Sequence, residues 1–172
     1  MKKIFNNPRK ISALVLCLAL CAPQVSWAQS ATKPMKTPKP LTAGELYTIY
    51  HDKTWKWPTG GGRFMSEGRK FVAVTESNGT SSLGEGTWTI DGKGMMCMRG
   101  KWKTGGSAAK ANTCFAHGKI GNVLYQKRQP DGKWYVFRHN PPRADDEFSK
   151  LVKEDRVTMK VLEFKQAQLN KQ

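Results

Sequence analysis

Three histidines, a sulfur-rich stretch and a scatter of cations among aromatic rings are the side chains here that could do chemistry. His51, His117 and His139 are the only histidines. Strand alternation puts Phe115 with His117 on one face, and Tyr135, Phe137 and His139 together on another. Two histidines converging inside a barrel beside Tyr135 and Arg138 would make a small-ligand or catalytic interior. A metal needs a recognisable ligand spacing, and no His-x-His, His-Glu-x-x-His or Cys-x-x-Cys is present. The plainer reading, histidines each satisfied by a hydrogen bond near the core, fits the same positions and is preferred.

Met95, Met96 and Met98 surround Cys97, and soft sulfur suits copper(I). Alternation instead gathers Met96, Met98 and Trp102 into one apolar stripe for a core, with Cys97, Arg99 and Lys101 on the opposite face. Nucleophilic chemistry lacks its signature: Ser81-Ser82 lies outside any Gly-x-Ser-x-Gly. Glu85, between Gly84 and Gly86, is the most suggestive carboxylate because its glycines could open backbone around it. A glycosidase needs a second carboxylate that the sequence does not place, and a turn or bulge with a solvated Glu is preferred. No catalytic residue, metal or cofactor is assigned.

Basic residues interleaved with aromatics are the richest feature. Arg63, Arg69, Lys70, Arg99, Lys101, Lys103, Lys127, Arg128, Lys133 and Arg138 occur among Trp88, Trp102, Tyr125, Trp134 and Tyr135. Rings cover sugar faces while guanidinium and ammonium groups meet carboxylate or phosphate. Arg63, Arg99, Lys101, Arg128 and Arg138 are therefore candidate anion contacts, with His117, His139 and Tyr135 as the candidate interior. Tryptophans filling a core under a soluble basic surface is the competing reading.

The start of the chain sets the expected compartment. Lys2, Lys3, Arg9 and Lys10 precede an apolar run from Ile11 to Ala22, and Ser26-Trp27-Ala28 offers small residues for cleavage. This reads as a signal peptide over 1–28, too short in its apolar part to span a membrane. A lipobox at Cys21 would need a small residue where Leu20 stands. Cleavage would leave 144 of 172 residues, and loss of four cations would take the formal charge from +16 to +12. The expected location is periplasmic or secreted, and the expected partner an anionic envelope component: acidic polysaccharide, lipopolysaccharide or anionic lipid. Nucleic acid is not expected there. Of four cysteines, Cys17 and Cys21 fall in the leader, leaving Cys97 and Cys114 to pair as a disulfide.

Elements must hold these side chains. Residues 29–40, with three prolines and three lysines, read as a basic tether. Thr42 and Glu45 form a capping-box pattern ahead of Leu46, Ile49 and Tyr50, so a short helix is expected. Gly60-Gly61-Gly62 demands a turn or positive φ, with no Gly-Lys-Ser/Thr to make it a phosphate cradle. Strands are expected at 71–75, 87–90, 95–102, 113–117, 123–126 and 134–139. Asp91-Gly92 and Asp131-Gly132 mark hairpins, and a polar loop is expected over 104–112. A helix with Phe148, Leu151 and Val152 on one face should follow Pro142. Val157, Met159 and Val161 then alternate as a last strand. The predicted fold is mainly β: a single antiparallel meander closing into a small barrel or sandwich, with a short N-terminal helix and a C-terminal helix-strand extension. The single β-rich domain would run over 41–165, with a polar tail at 166–172.

Several of these residues recur together in a known pattern. Gly60-Gly61-Gly62-Arg63-Phe64, Ser82 through Trp88, Cys97, Cys114-Phe115-Ala116-His117, Tyr125-Gln126 and Gly132 through His139 follow in order. Over roughly Glu45 to Val157 the chain resembles small exported proteins, mostly of rhizobia-like proteobacteria, grouped as a domain of unknown function, family 995. The resemblance implies an exported single domain with a disulfide and carries no activity or catalytic residue. The expected function is a non-enzymatic envelope-binding or structural protein. Its alternatives are a small-ligand barrel or enzyme using the His117/His139 interior, and a structural protein docking another through a strand edge.

Overall fold

The structure, a computed structural model, describes residues 36–170; the leader expected at 1–28 and most of the tether expected at 29–40 lie outside them. The strands are β1 (Lys39–Pro40), β2 (Lys53–Trp57), β3 (Gly60–Phe64), β4 (Lys70–Ser77) and β5 (Thr80–Ile90). They continue as β6 (Met95–Thr104), β7 (Ser107–Ile120), β8 (Val123–Arg128), β9 (Tyr135–Arg138) and β10 (Leu151–Val152); the helices are α1 (Ala43–Tyr50) and α2 (Thr158–Leu169). All pairings are antiparallel, in the order β10-β2-β3-β4-β5-β6-β7-β8-β9, with β1 added beside β7. This nine-strand path curls into a half-barrel.

Helix α1 starts at the Thr42–Glu45 capping box: the Glu45 N–H donates to Thr42 Oγ1 at 3.2 Å, and the Thr42 N–H to Glu45 Oε2 at 2.8 Å. Its i, i+3, i+4 face buries Leu46, Ile49 and Tyr50 in the concave side of the sheet. Lys119 of β7 reaches Glu45 at 2.5 Å, and that contact leads in holding the carboxyl at about 2. Trp55, Phe64, Phe71, Ala73, Trp88, Met96 and Phe137 complete the core, and Met98 and Trp102 pack against it as the alternation requires.

Four expectations need correction. Gly60–Gly62 are strand residues with no positive φ. Their missing side chains make room: a Cβ on Gly62 would stand 2.6 Å from the Phe71 ring and 3.0 Å from Trp57. The segment 104–112 is not a loop. It carries β6 and β7 to a turn at Gly105-Gly106, and Ala109 and Ala111 are the small residues placed across from Trp102 and Gly100. Residues 157–161 form no strand, because Val157, Val161 and Phe164 recur at helical spacing and α2 lays them on Val72, Val74 and Leu83 of the convex face. Helix α2 runs on to Leu169, into the segment expected as a polar tail. Finally, a 3-10 turn at Glu147–Lys150 followed by β10 replaces the helix expected after Pro142.

The turns also differ in kind. Asn78 and Gly79, with φ of 50° and 70°, make the tight two-residue hairpin. Asp91-Gly92 instead opens a longer connection in which Asp91 Oδ1 accepts from the N–H groups of Lys93 and Met95, and Gly94 supplies φ +83°. The final tether residues, Lys39 and Pro40, join the sheet opposite Lys119 and Gly118. Among the described residues no helix is long and apolar enough to cross a membrane.

Candidate functional site

The five candidate anion contacts do not form one cluster. Arg63 serves the fold: its Nη1 donates to the Lys153 carbonyl at 2.9 Å and its Nε faces Asp155 at 3.9 Å, tying down the chain ahead of α2. Arg138 lies over the Phe148 ring at 5.0 Å with its Nε buried and without a partner. Arg128 ends β8 in register with Phe115, whose side chain packs on the concave core, so it does not share the convex face of Arg99 and Lys101. Only Arg99 and Lys101 stand together.

They gain company that the sequence hid. Arg99, Lys101 and Lys103 share one face of β6. Lys103 pairs with Leu83, which packs under α2, so this face is the convex one. Across β7, Lys110 is in register with Lys101, and Asn112 with Arg99. All four cations are exposed, and none makes an ion pair among the described residues. Glu85, in register with Lys101 on β5, is drawn to Lys165 of α2 at 2.7 Å instead. Lys110 sits where a loop was expected; alternation of Ala108, Lys110 and Asn112 against Ala109 and Ala111 was the signal that could have placed it on a strand.

The histidines part company as well. His117 is buried, 1% exposed, at the centre of a polar chain. Its Nε2 meets Tyr50 Oη at 2.7 Å and Gln126 Nε2 at 2.7 Å; Gln126 also donates to Tyr50 Oη, and Tyr135 donates to Gln126 Oε1. Nδ1 lies 3.1 Å from the Phe115 carbonyl, so a neutral ring protonated at Nδ1 satisfies both ends. Burial holds the His117 pKa down at about 4, lifts Tyr135 to about 12 and pushes Tyr50 well above 10. Every polar group in this chain is then matched, which suits a structural network.

His139 does not join it. Its Nδ1 lies 2.5 Å from Asp146 Oδ1, and Asp146 Oδ2 accepts from the N–H groups of His139 and Arg143. Burial alone would raise the Asp146 pKa, but these donors outweigh it and hold the carboxyl at about 2. The pair closes the 139–146 loop. The shared His117/His139 interior of the alternative reading is therefore not formed. The small apolar cavity inside the half-barrel, about 60 Å³ between Trp57, Phe71, Met98 and Trp102, touches neither ring.

At one end of the cationic row, on the same face, Cys97 and Cys114 are directly opposed across β6 and β7 and joined as a disulfide. That bond and the Cys114 to His117 strand are among the marks of the resemblance. Residues 15–157 match the family described as protein of unknown function DUF995. The chain belongs to this family. No curated protein and no solved structure matches it.

Proposed function

We propose that this DUF995 protein is an exported, non-enzymatic binding protein of the bacterial envelope that holds an acidic polysaccharide along the convex face of the β6–β7 hairpin. The observation that carries the reading is Lys101 directly opposite Lys110, flanked by Arg99 and Lys103, with no acid among the described residues in ion-pair contact with any of them and the neighbouring Glu85 engaged by Lys165. Side chains on one face of a strand repeat every ~6.6 Å, so the cations form a line. A line of positive charge suits a polymer with regularly spaced carboxylates.

Neighbours on this face favour a polymer over a bilayer. Thr87, Glu85, Ala108 and Asn112 flank the cations, and the one large apolar residue in register with them, Leu83 beside Lys103, is buried under α2 and cannot enter lipid. Export, read from residues 1–28, and the formal charge of +12 expected once those residues are removed from the +16 of the whole chain support the same partner class.

Retention on immobilised alginate, a uronic-acid polymer, tests the proposal. Wild-type protein should be held at low salt and released as salt rises, and the triple variant R99Q/K101Q/K110Q should elute early. Equal retention of wild type and triple variant, or preference for phosphatidylglycerol vesicles over alginate, would overturn it.

A further inference from the structure

A second cationic feature lies on the other side of α2, apart from the hairpin. Between β2–β3 and the first turn of α2 is a pocket of about 250 Å³ lined by Lys56, Arg156 and Lys160, with no acidic residue in its wall. None of the three cations makes an ion pair among the described residues. Asp155, the acid beside Arg156, is already committed: its carboxylate accepts from the Val157 and Thr158 N–H groups at 3.0 and 2.9 Å and from the Thr158 hydroxyl at 2.5 Å.

The sequence makes the cavity by omission. On the convex face, Lys56 pairs with Gly61 and Gly61 with Val74. Gly61 therefore leaves a gap in a row that otherwise carries side chains, and Val157 closes over it, 3.5 Å from where a Cβ would stand. Trp57, Val74 and Val157 supply apolar wall. Three unpaired cations over an apolar floor match a ligand with a charged group and an organic body, rather than a bare ion. The volume lies below the ~300 Å³ at which drug-sized sites begin, so the body is small.

We infer that this pocket binds a small organic anion, a carboxylate or phosphate carried on a body about the size of one sugar ring. Lys56, Arg156 and Lys160 meet the charge, and Val74 and Val157 meet the body. The site is separate from the β6–β7 row and does not depend on the polysaccharide reading.

Amide NMR titrations at fixed ionic strength with glucuronate, glucose 6-phosphate, glucose and inorganic phosphate test it. Saturable shifts of the Gly60, Gly61 and Arg156 amides are expected with glucuronate or glucose 6-phosphate, and whichever binds tighter identifies carboxylate or phosphate as the preferred group. Glucose should shift nothing. Arg156→Gln and Lys160→Gln should each weaken binding about tenfold. Gly61→Ala, which keeps every charge but raises the floor, should also weaken it. Inorganic phosphate binding as tightly as the sugar acids would remove the organic body from the assignment. Shifts that persist in K56Q/R156Q/K160Q, or no saturable shift with either acid, would overturn the site. Alginate retention of that same triple variant should match wild type, so failure here is distinguishable from failure of the hairpin proposal.

Discussion

Lys101 and Lys110 face each other across β6 and β7, four residues along the ladder from the Cys97–Cys114 pair. The cysteine Cα atoms are 4.0 Å apart, which marks a narrow, non-hydrogen-bonded pair. Such pairs alternate along an antiparallel ladder, so Lys101 and Lys110 form another narrow pair, with side chains at close range. Like charges directly opposed are destabilising, and the sheet carries this cost on an open face where neutral residues would serve the fold as well. An anionic partner of the kind proposed above would relieve it.

Lys110→Glu should therefore act in opposite directions on folding and binding. The new cross-strand ion pair should raise stability by a few tenths to about 1 kcal/mol, while alginate retention falls. Urea unfolding beside alginate chromatography of the same variant checks both. A variant that loses stability and keeps retention would contradict the argument.

His117 should make stability fall with acid before the carboxylates do. Its folded pKa of about 4 lies below the ordinary 6.5, so between those values the unfolded chain binds more protons at this site than the folded one. The contribution is fully present above pH 6.5 and is lost as pH falls through 4, amounting to roughly 3 kcal/mol. Glu45 and Asp146, both held at about 2, lose theirs only below about 4.5. Wild type should lose urea stability between pH 6.5 and 4.5, and His117→Gln should be flatter across that window.

Much of the fold was legible because local rules agreed with their surroundings. Thr42 and Glu45 cap α1 within four residues, and Met96, Met98 and Trp102 take one face because strand period allows nothing else. The misreadings came where a partner far away in sequence decided. Gly60–Gly62 carry no visible reason to be extended until Phe71 and Trp57 cover them, and Ala108 to Asn112 look like a loop until β6 pairs with them. Val157, Met159 and Val161 fit period 2 over five residues; Phe164 supplies the helical continuation, and Val74 and Leu83 give it a surface to cover. Arg63 resembled a ligand contact because a cation's partner, here Asp155 with the Lys153 carbonyl, is not written next to it. The same long-range assembly brings Lys56 to Arg156 and Lys160, a combination no local window contains.

Asp155 is the junction between sheet and α2. Its oxygens take the first free N–H groups of the helix and face Arg63, and these hydrogen bonds, acting against burial, keep its pKa below the usual carboxylate value. Asp155→Ala should cost about 1 kcal/mol, the typical loss of a helix cap; the ion pair at 3.9 Å adds little because Asp155 is partly exposed. Helical circular dichroism should fall with the urea midpoint. A lower midpoint with unchanged helicity would mean the residue acts through Arg63 instead.

The disulfide should matter to binding as well as to folding. Cys97 and Cys114 are 17 residues apart and enclose the outer part of the β6–β7 hairpin, including Arg99, Lys101, Lys103 and Lys110. Closing a loop of that size restricts the unfolded chain by about 3 kcal/mol in the entropic account. In the folded state the bond also fixes the register that sets Lys101 against Lys110; without it, this exposed hairpin end has mainly Trp102 and its small partners to hold it. C97S/C114S should therefore unfold about 3 kcal/mol more easily and, under conditions where it remains folded, lose part of its alginate retention. Urea titration and chromatography below the unfolding midpoint separate the two effects. Full retention by the folded double variant would show that strand pairing alone holds the cationic row in place.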